Sequence, residues 1–296
     1  MNSTKFNQRL HHIYWERDSK GIKSDFGKAL LIGSSKEYPN AVLIAALLCN
    51  RSGVGYCYVS TSKDNRDARV SRLPLNQIPS KDLEERNSLS KEERLKYLCT
   101  FSSILFGNGR EVSEDNKTLL KKILSSYSGN LIIDASGIVL LKSILNEGMD
   151  HFAPESILLT PHLGEAKRLL NIETIHSRNP NDYKEKAMAF STKYKRTLLL
   201  KSYCSLLVDK TDCYASSYSP TAVLGKAGSG DGLAGYLAGL ISYLKKEYTL
   251  PEIVLFADSF IHQAAFRAGE TDSPGLDNIL DILPERKKRI KEAKVI

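Results

Sequence analysis

Short, mostly apolar runs that each end at a glycine or a polar residue alternate with longer segments of helical period, and this alternation leaves few folds open to the chain. Residues 29–32, 56–60, 103–106, 131–133, 156–159 and 197–200 are such runs. Near-continuous apolar runs are what strands look like when both of their faces are covered. Helical periodicity falls at residues 41–51, 113–126, 137–145, 164–170, 182–194, 229–245 and 251–267, with a last short helix at 278–283 and Ser113 as an N-cap. Residues 206–208 and 214–216 read as a hairpin around 210–212. The repeated β-α order predicts an α/β fold, a mostly parallel sheet with helices on both faces. Residues 62–97 are charged and aperiodic, a surface excursion with a helix near 91–97. No Pro/Gly/Ser linker and no internal repeat divides the chain, so one domain over residues 1–296 is expected.

The runs end at Gly33–Ser34, Gly107–Asn108–Gly109, Asp134, Thr160–Pro161–His162 and Lys201. Open parallel sheets bind ligands outside the carboxyl ends of their strands. These segments, distant in sequence, are therefore expected to meet on one edge of the sheet.

The charge balance bears on what binds there. The 296 residues carry a formal net charge of +8, which favours anionic partners such as nucleic acid, acidic lipid or phosphorylated small molecules. No apolar run approaches the roughly 20 residues of a membrane span, and residues 1–20 lack an apolar signal core. A cytoplasmic protein with no membrane partner is expected. The five cysteines, Cys49, Cys57, Cys99, Cys204 and Cys213, form no C-x-x-C pair and read as reduced apolar fillers. The basic tail around Arg286–Lys287–Lys288–Arg289 has no interleaved aromatics, which argues for a solvated terminal helix over a nucleic-acid patch.

Gly228–Ser229–Gly230–Asp231 opens a long apolar helix. Glycines let backbone approach a ligand closely, and a helix N-terminus aims free N–H groups and a positive dipole at whatever lies above it, which suits phosphate. Asp231 either caps the helix or touches a hydroxyl beside the phosphate and takes its proton. The helix end is expected to lower its pKa. Gly232, Ala234, Gly235, Ala238 and Gly239 equally suggest close helix packing. Thr160–Pro161–His162–Leu163–Gly164–Glu165 reads either as a rigid strand-to-helix turn or as a site in which His162 donates to a phosphate or amide and Glu165 holds water or Mg2+.

Taken together, these segments resemble the NAD(P)H-hydrate dehydratase family of the ribokinase-like superfamily. The resemblance rests on an ordered set: Arg17–Asp18–Ser19–Lys20–Gly21, Gly27–Lys28, Gly33–Ser34–Ser35 with Tyr38 and Ala41, Arg51–Ser52–Gly53–Val54–Gly55, Gly107-x-Gly109, Asp134, Thr160–Pro161–His162-x-Gly164–Glu165, Lys201 and Ala227–Gly228–Ser229–Gly230–Asp231-x-Leu233–Ala234–Gly235. It implies a ribokinase-like fold and a repair enzyme without an epimerase domain. Such an enzyme uses ADP or ATP with Mg2+ to dehydrate the S-form of hydrated NADH or NADPH, with ADP giving AMP and phosphate. It implies Ala41, Gly109 and His162 on the hydrate side, with Asp231 as base. Lys201, Ser202, Tyr203, Cys204 and Ser205, with Gly228, Ser229 and Gly230, would hold the adenine nucleotide, Glu165 would face Mg2+, and the protein would be a homo-oligomer, expected as a tetramer. The sequence departs from the family pattern at Ser136, Leu163, Ser202 and the Tyr218–Val223 stretch. A small-molecule kinase of the same fold, acting on a vitamin precursor or sugar alcohol, and an inactive nucleotide-binding relative are the alternatives.

Overall fold

The computed structural model describes residues 20–61, 77–79, 90–210, 212–216 and 222–269. The basic tail, the helix expected at 278–283, the Arg17–Ser19 part of the first motif and most of the 218–223 stretch lie outside these residues.

Among these residues nine strands form one sheet in the order β3-β2-β1-β4-β5-β6-β7-β8-β9. They are β1 (Lys28–Ile32), β2 (Tyr56–Ser60), β3 (Gln77–Pro79), β4 (Ser103–Phe106), β5 (Asn130–Ile133), β6 (Ser156–Leu159), β7 (Thr197–Leu200), β8 (Leu206–Asp209) and β9 (Asp212–Ala215). The sheet is parallel from β3 to β7 and antiparallel from β7 through β9. The helices are α1 (Ala41–Ser52), α2 (Lys91–Leu98), α3 (Glu114–Ser126), α4 (Ser136–Asn146), α5 (Leu163–Leu169), α6 (Lys184–Tyr194), α7 (Ser229–Leu244) and α8 (Leu250–Ala268).

Period-two alternation divides the strand side chains between two cores. Ala29, Leu31, Cys57, Val59, Leu105, Ile132, Leu158, Leu199 and Leu207 pack under α1, α7 and α8. Leu30, Ile32, Ile104, Phe106, Leu131, Ile133, Leu159, Leu198 and Leu200 pack on the opposite face, with side chains of α3 to α6. The result is the expected three-layer α/β architecture.

Four local features differ from expectation. The charged excursion contains β3, a parallel neighbour of β2, which its composition hides. The helix expected at 182–194 begins as a 3-10 turn (Pro180–Tyr183) and becomes α-helical only from Lys184, because Pro180 sets the entry and Asn179 caps it. The second hairpin strand is β9, two residues earlier than expected. Cys49 and Cys57 are buried fillers, but Cys99 is exposed and Cys204 and Cys213 are half-buried.

The small residues of α7 do pack closely. A Cβ on Gly235 would stand 1.9 Å from the Ala45 carbonyl oxygen of α1, and one on Gly239 2.0 Å from the Ser52 hydroxyl. The chain leaves β1 toward β2 and β3, then returns to the other side of β1 at β4. The reversal of strand order therefore falls between β1 and β4, where a crevice is expected.

Candidate functional site

Gly33–Ser34 leaves β1 at this crevice, and Gly107–Asn108–Gly109 leaves β4. The Ser34 N–H donates to the Asn108 carbonyl at 2.6 Å. Ser34 has φ 61°, and its hydroxyl accepts from Val42 N–H at 3.1 Å, so the loop after β1 caps α1. Gly107 has φ 124°, and a Cβ there would lie 2.0 Å from the Asp134 carbonyl oxygen; only glycine permits that approach. Gly109 faces the start of α1, where its Cβ would meet that of Ala41 at 2.7 Å. The structure thus brings together Ala41 and Gly109, two of the residues assigned to the hydrate side.

Asp134 follows β5 and is buried. Lys201 follows β7, and its Nζ lies 2.6 Å from Asp134 Oδ1. The strand pair β6/β7 continues into this region through a parallel bridge between His162 and Lys201, with Lys201 N–H donating to the Pro161 carbonyl at 2.8 Å. Gly230, in the first turn of α7, sits against the same ammonium: a Cβ there would be 3.2 Å from Lys201 Nζ. A cation and a helix N-terminus therefore share one location, which is an anion-binding arrangement.

Asp231 is not the cap of α7. The cap is Gly228, at φ 90°, and Asp231 lies three residues inside. Its Oδ1 accepts from Asn108 Nδ2 at 2.6 Å, and the same amide nitrogen donates to Asp134 Oδ2 at 3.0 Å. Lys201, Asp134, Asn108 and Asp231 thus form one continuous chain of polar contacts across the strand ends. The expected lowering of the Asp231 pKa is reversed. Burial pushes its carboxyl up to about 6, with the charges of Asp134 and Glu165 adding to the rise and Asn108 and Lys201 opposing it. Desolvation outweighs the helix end because the carboxylate is largely withdrawn from water.

His162 caps α5. Its Nδ1 accepts from the N–H groups of Gly164 at 2.9 Å and Glu165 at 3.3 Å, which leaves Nε2 to carry the proton, 3.2 Å from Glu165 Oε1. Glu165 Oε2 accepts from His162 N–H at 2.9 Å, completing a capping box. Burial raises the Glu165 carboxyl, but the His162 hydrogen bonds and the Lys201 charge outweigh it and hold it below the usual carboxylate range. Both oxygens of the residue assigned to Mg2+ are thus already engaged. Among the described residues no three His, Cys, Asp or Glu side chains converge as a metal cage. This donor set does not fit a resident Mg2+ held by protein ligands alone.

The nucleotide segment is more dispersed. The Ser202 hydroxyl donates to the Arg178 carbonyl at 2.5 Å, Cys204 Sγ to Asn179 Oδ1 at 3.7 Å, and Tyr203 is exposed. Ser205 turns inward. It is buried, and its hydroxyl donates to Asp258 of α8 at 2.9 Å. The Ser229 hydroxyl donates to the Leu224 carbonyl at 2.7 Å. In the sequence Asn108 stands only as the residue between two glycines, with no role of its own. Its position at a strand end is the signal that could have found it.

Among the described residues no helix is long and apolar enough to cross a membrane. A family model described as NAD(P)H-hydrate dehydratase matches residues 29–283. The ADP-dependent (S)-NAD(P)H-hydrate dehydratase of Listeria monocytogenes is 27% identical over 248 residues, covering 83% of each chain. The bifunctional NAD(P)H-hydrate repair enzyme of Dictyoglomus turgidum is 27% identical over 270 residues, which is 86% of this chain but 50% of that protein, so the chain spans half the length of this relative. Two solved structures share the fold. A ribokinase-like superfamily protein of Enterococcus faecalis superposes with a TM-score of 0.80 at 24% identity, covering 96% of this chain and 94% of that one. The ADP/ATP-dependent NAD(P)H-hydrate dehydratase of Bacillus subtilis co-crystallized with ATP/Mg2+ gives 0.74 at 22% identity, with 96% of each chain covered.

Proposed function

Since the chain belongs to the NAD(P)H-hydrate dehydratase family, we propose that it restores NADH or NADPH from the S-form of their hydrates with ADP or ATP as phosphoryl donor. The observation that carries this reading is Asp231 itself, a carboxylate with a pKa raised to about 6, one turn inside an anion-binding helix end and beside Lys201. A base with a pKa near neutrality is matched to taking a proton from a hydroxyl.

Phosphoryl transfer is mainly positioning and electrostatic stabilisation. The terminal phosphate of the nucleotide lies over the first turn of α7, within reach of Lys201 Nζ, and the hydrate lies between Ala41, Gly109 and His162. Asp231 takes the proton of the added hydroxyl as its oxygen bonds to phosphorus, and AMP leaves when the donor is ADP. Breaking the carbon–oxygen bond then releases phosphate. A proton is lost from the neighbouring carbon, and the dihydronicotinamide double bond returns.

Lys201 to Cys204 with Gly228, Ser229 and Gly230 line the nucleotide side in this reading, and Ser205 contributes through its link to α8. Mg2+ belongs to it only as the companion of the nucleotide phosphates. The single sheet supports treating the described residues as one catalytic domain, and the reading includes a cytoplasmic homo-oligomer.

The test is recovery of NADH absorbance from hydrated NADH with Mg2+ and either ADP or ATP. Asp231→Asn should slow it about 10²- to 10⁴-fold. No recovery with either nucleotide overturns the reading, and a stable phosphorylated product in place of free phosphate assigns the protein as a small-molecule kinase instead.

A further inference from the structure

We propose that Asn108 is the positioning residue of this site, holding the Asp231 carboxylate in place through an amide that it shares with Asp134. The proposal rests on the reading of Asp231 as base and adds the group that aims it.

The geometry is over-determined. Asn108 is fully buried and sits at the reversal of strand order. Its carbonyl is fixed by Ser34 N–H, and the glycines on either side have φ 124° and 69°. A Cβ at either glycine would collide, with the Asp134 carbonyl oxygen at 2.0 Å or with Ala41 Cβ at 2.7 Å, so the loop closes tightly on both neighbours. A side-chain amide nitrogen carries two N–H groups. Here it lies 2.6 Å from Asp231 Oδ1 and 3.0 Å from Asp134 Oδ2. Flipping the amide would turn its oxygen toward two carboxylates, so the assignment of nitrogen and oxygen follows from the neighbours. The oxygen left over, Oδ1, is buried and accepts from no protein group among the described residues.

The ionisable groups acting on Asp231 are Asp134 after β5, Lys201 after β7 and Glu165 of α5. Asn108 is the neutral donor among them. It favours the ionised base without adding a charge that would compete with Lys201 for phosphate.

The experiment compares Asn108→Ala and the isosteric Asn108→Asp, alone and combined with Asp231→Asn, in folded protein confirmed by circular dichroism. Expected is a fall in kcat of about 10- to 100-fold with nucleotide KM nearly unchanged. The acid limb of the kcat–pH profile should move up by about one unit, further for Asn108→Asp. In the Asp231→Asn background, Asn108→Ala should cost nothing more, because two residues that act as a unit are not additive. Losses that multiply, or an acid limb that stays in place, overturn the proposal. If the wild-type protein fails to turn over hydrate, the functional reading falls, but the Asp231 carboxyl can still be titrated by carbon-13 NMR. There an unshifted titration in Asn108→Ala would overturn the positioning role by itself.

Discussion

Lys201 and Asp134, 67 residues apart in sequence, meet end to end at 2.6 Å, with the carboxylate almost wholly buried and the ammonium resting on the first turn of α7. The lysine therefore has two tasks. It neutralises a buried acid, and it presents positive charge where a phosphate would lie.

Lys201→Met separates these tasks. Leaving Asp134 charged and unpaired should cost about 3 kcal/mol of stability, read as a lower urea midpoint. Adding Asp134→Asn should recover most of that loss. Neither variant should restore nucleotide KM, and the acid limb of activity should rise in Lys201→Met because Lys201 helps to hold the Asp231 pKa down. Stability recovered together with normal nucleotide KM would remove Lys201 from the phosphate site.

Asp231→Asn should be slower by about 10²- to 10⁴-fold and yet more stable. The Asp231 pKa is raised from its ordinary 3.8 to about 6, so the folded state favours the protonated acid. Ionisation destabilises the fold progressively as pH rises from about 4 through 6 and fully above that. Roughly two units correspond to at most about 3 kcal/mol. Thermal melts should therefore show the variant above the wild type at pH 8 and level with it at pH 4. A variant that is less stable at pH 8 would contradict the raised pKa.

Gly235→Ala tests the helix contact that carries the base. A methyl group would be driven to within 1.9 Å of the Ala45 carbonyl oxygen, which is backbone and cannot swing aside. Overpacking of this kind costs about 1–3 kcal/mol. It should also lower kcat, because α7 can yield only by moving Asp231. A melting temperature within a degree of the wild type would show that α1 and α7 have slack.

Much of this arrangement is legible in the amino-acid sequence, for definable physical reasons. Runs such as Leu131–Ile133 announce buried parallel strands because both faces need apolar cover. Their glycine-bearing and polar ends announce the ligand edge through topology alone. Asn108 is not legible as a functional group, since no local spacing says that its amide meets residues 26 and 123 positions away. The expected sign of the Asp231 pKa shift is wrong because sequence reveals the helix end but not the burial around it. Ser205 looks like part of an open nucleotide loop, and only its partner on α8 shows that it faces inward. The edge strand β3 is hidden because a three-residue strand in a charged stretch has too few residues to show a period.

The covering of the sheet by α7 also imposes an order of assembly. One face of β1, β2 and β4 is built from Ala29, Leu31, Val59 and Leu105, yet much of what covers it lies in residues 233–268. As the chain leaves the ribosome, all nine strands of the described residues exist before the helix that helps to shield them and brings in Asp231. A nascent or truncated chain ending before residue 229 would hold the glycine loops and Lys201 but lack the base, and it would expose a broad apolar surface. Chemical competence and protection from aggregation therefore arrive together, with the docking of α7 and of α8 behind it.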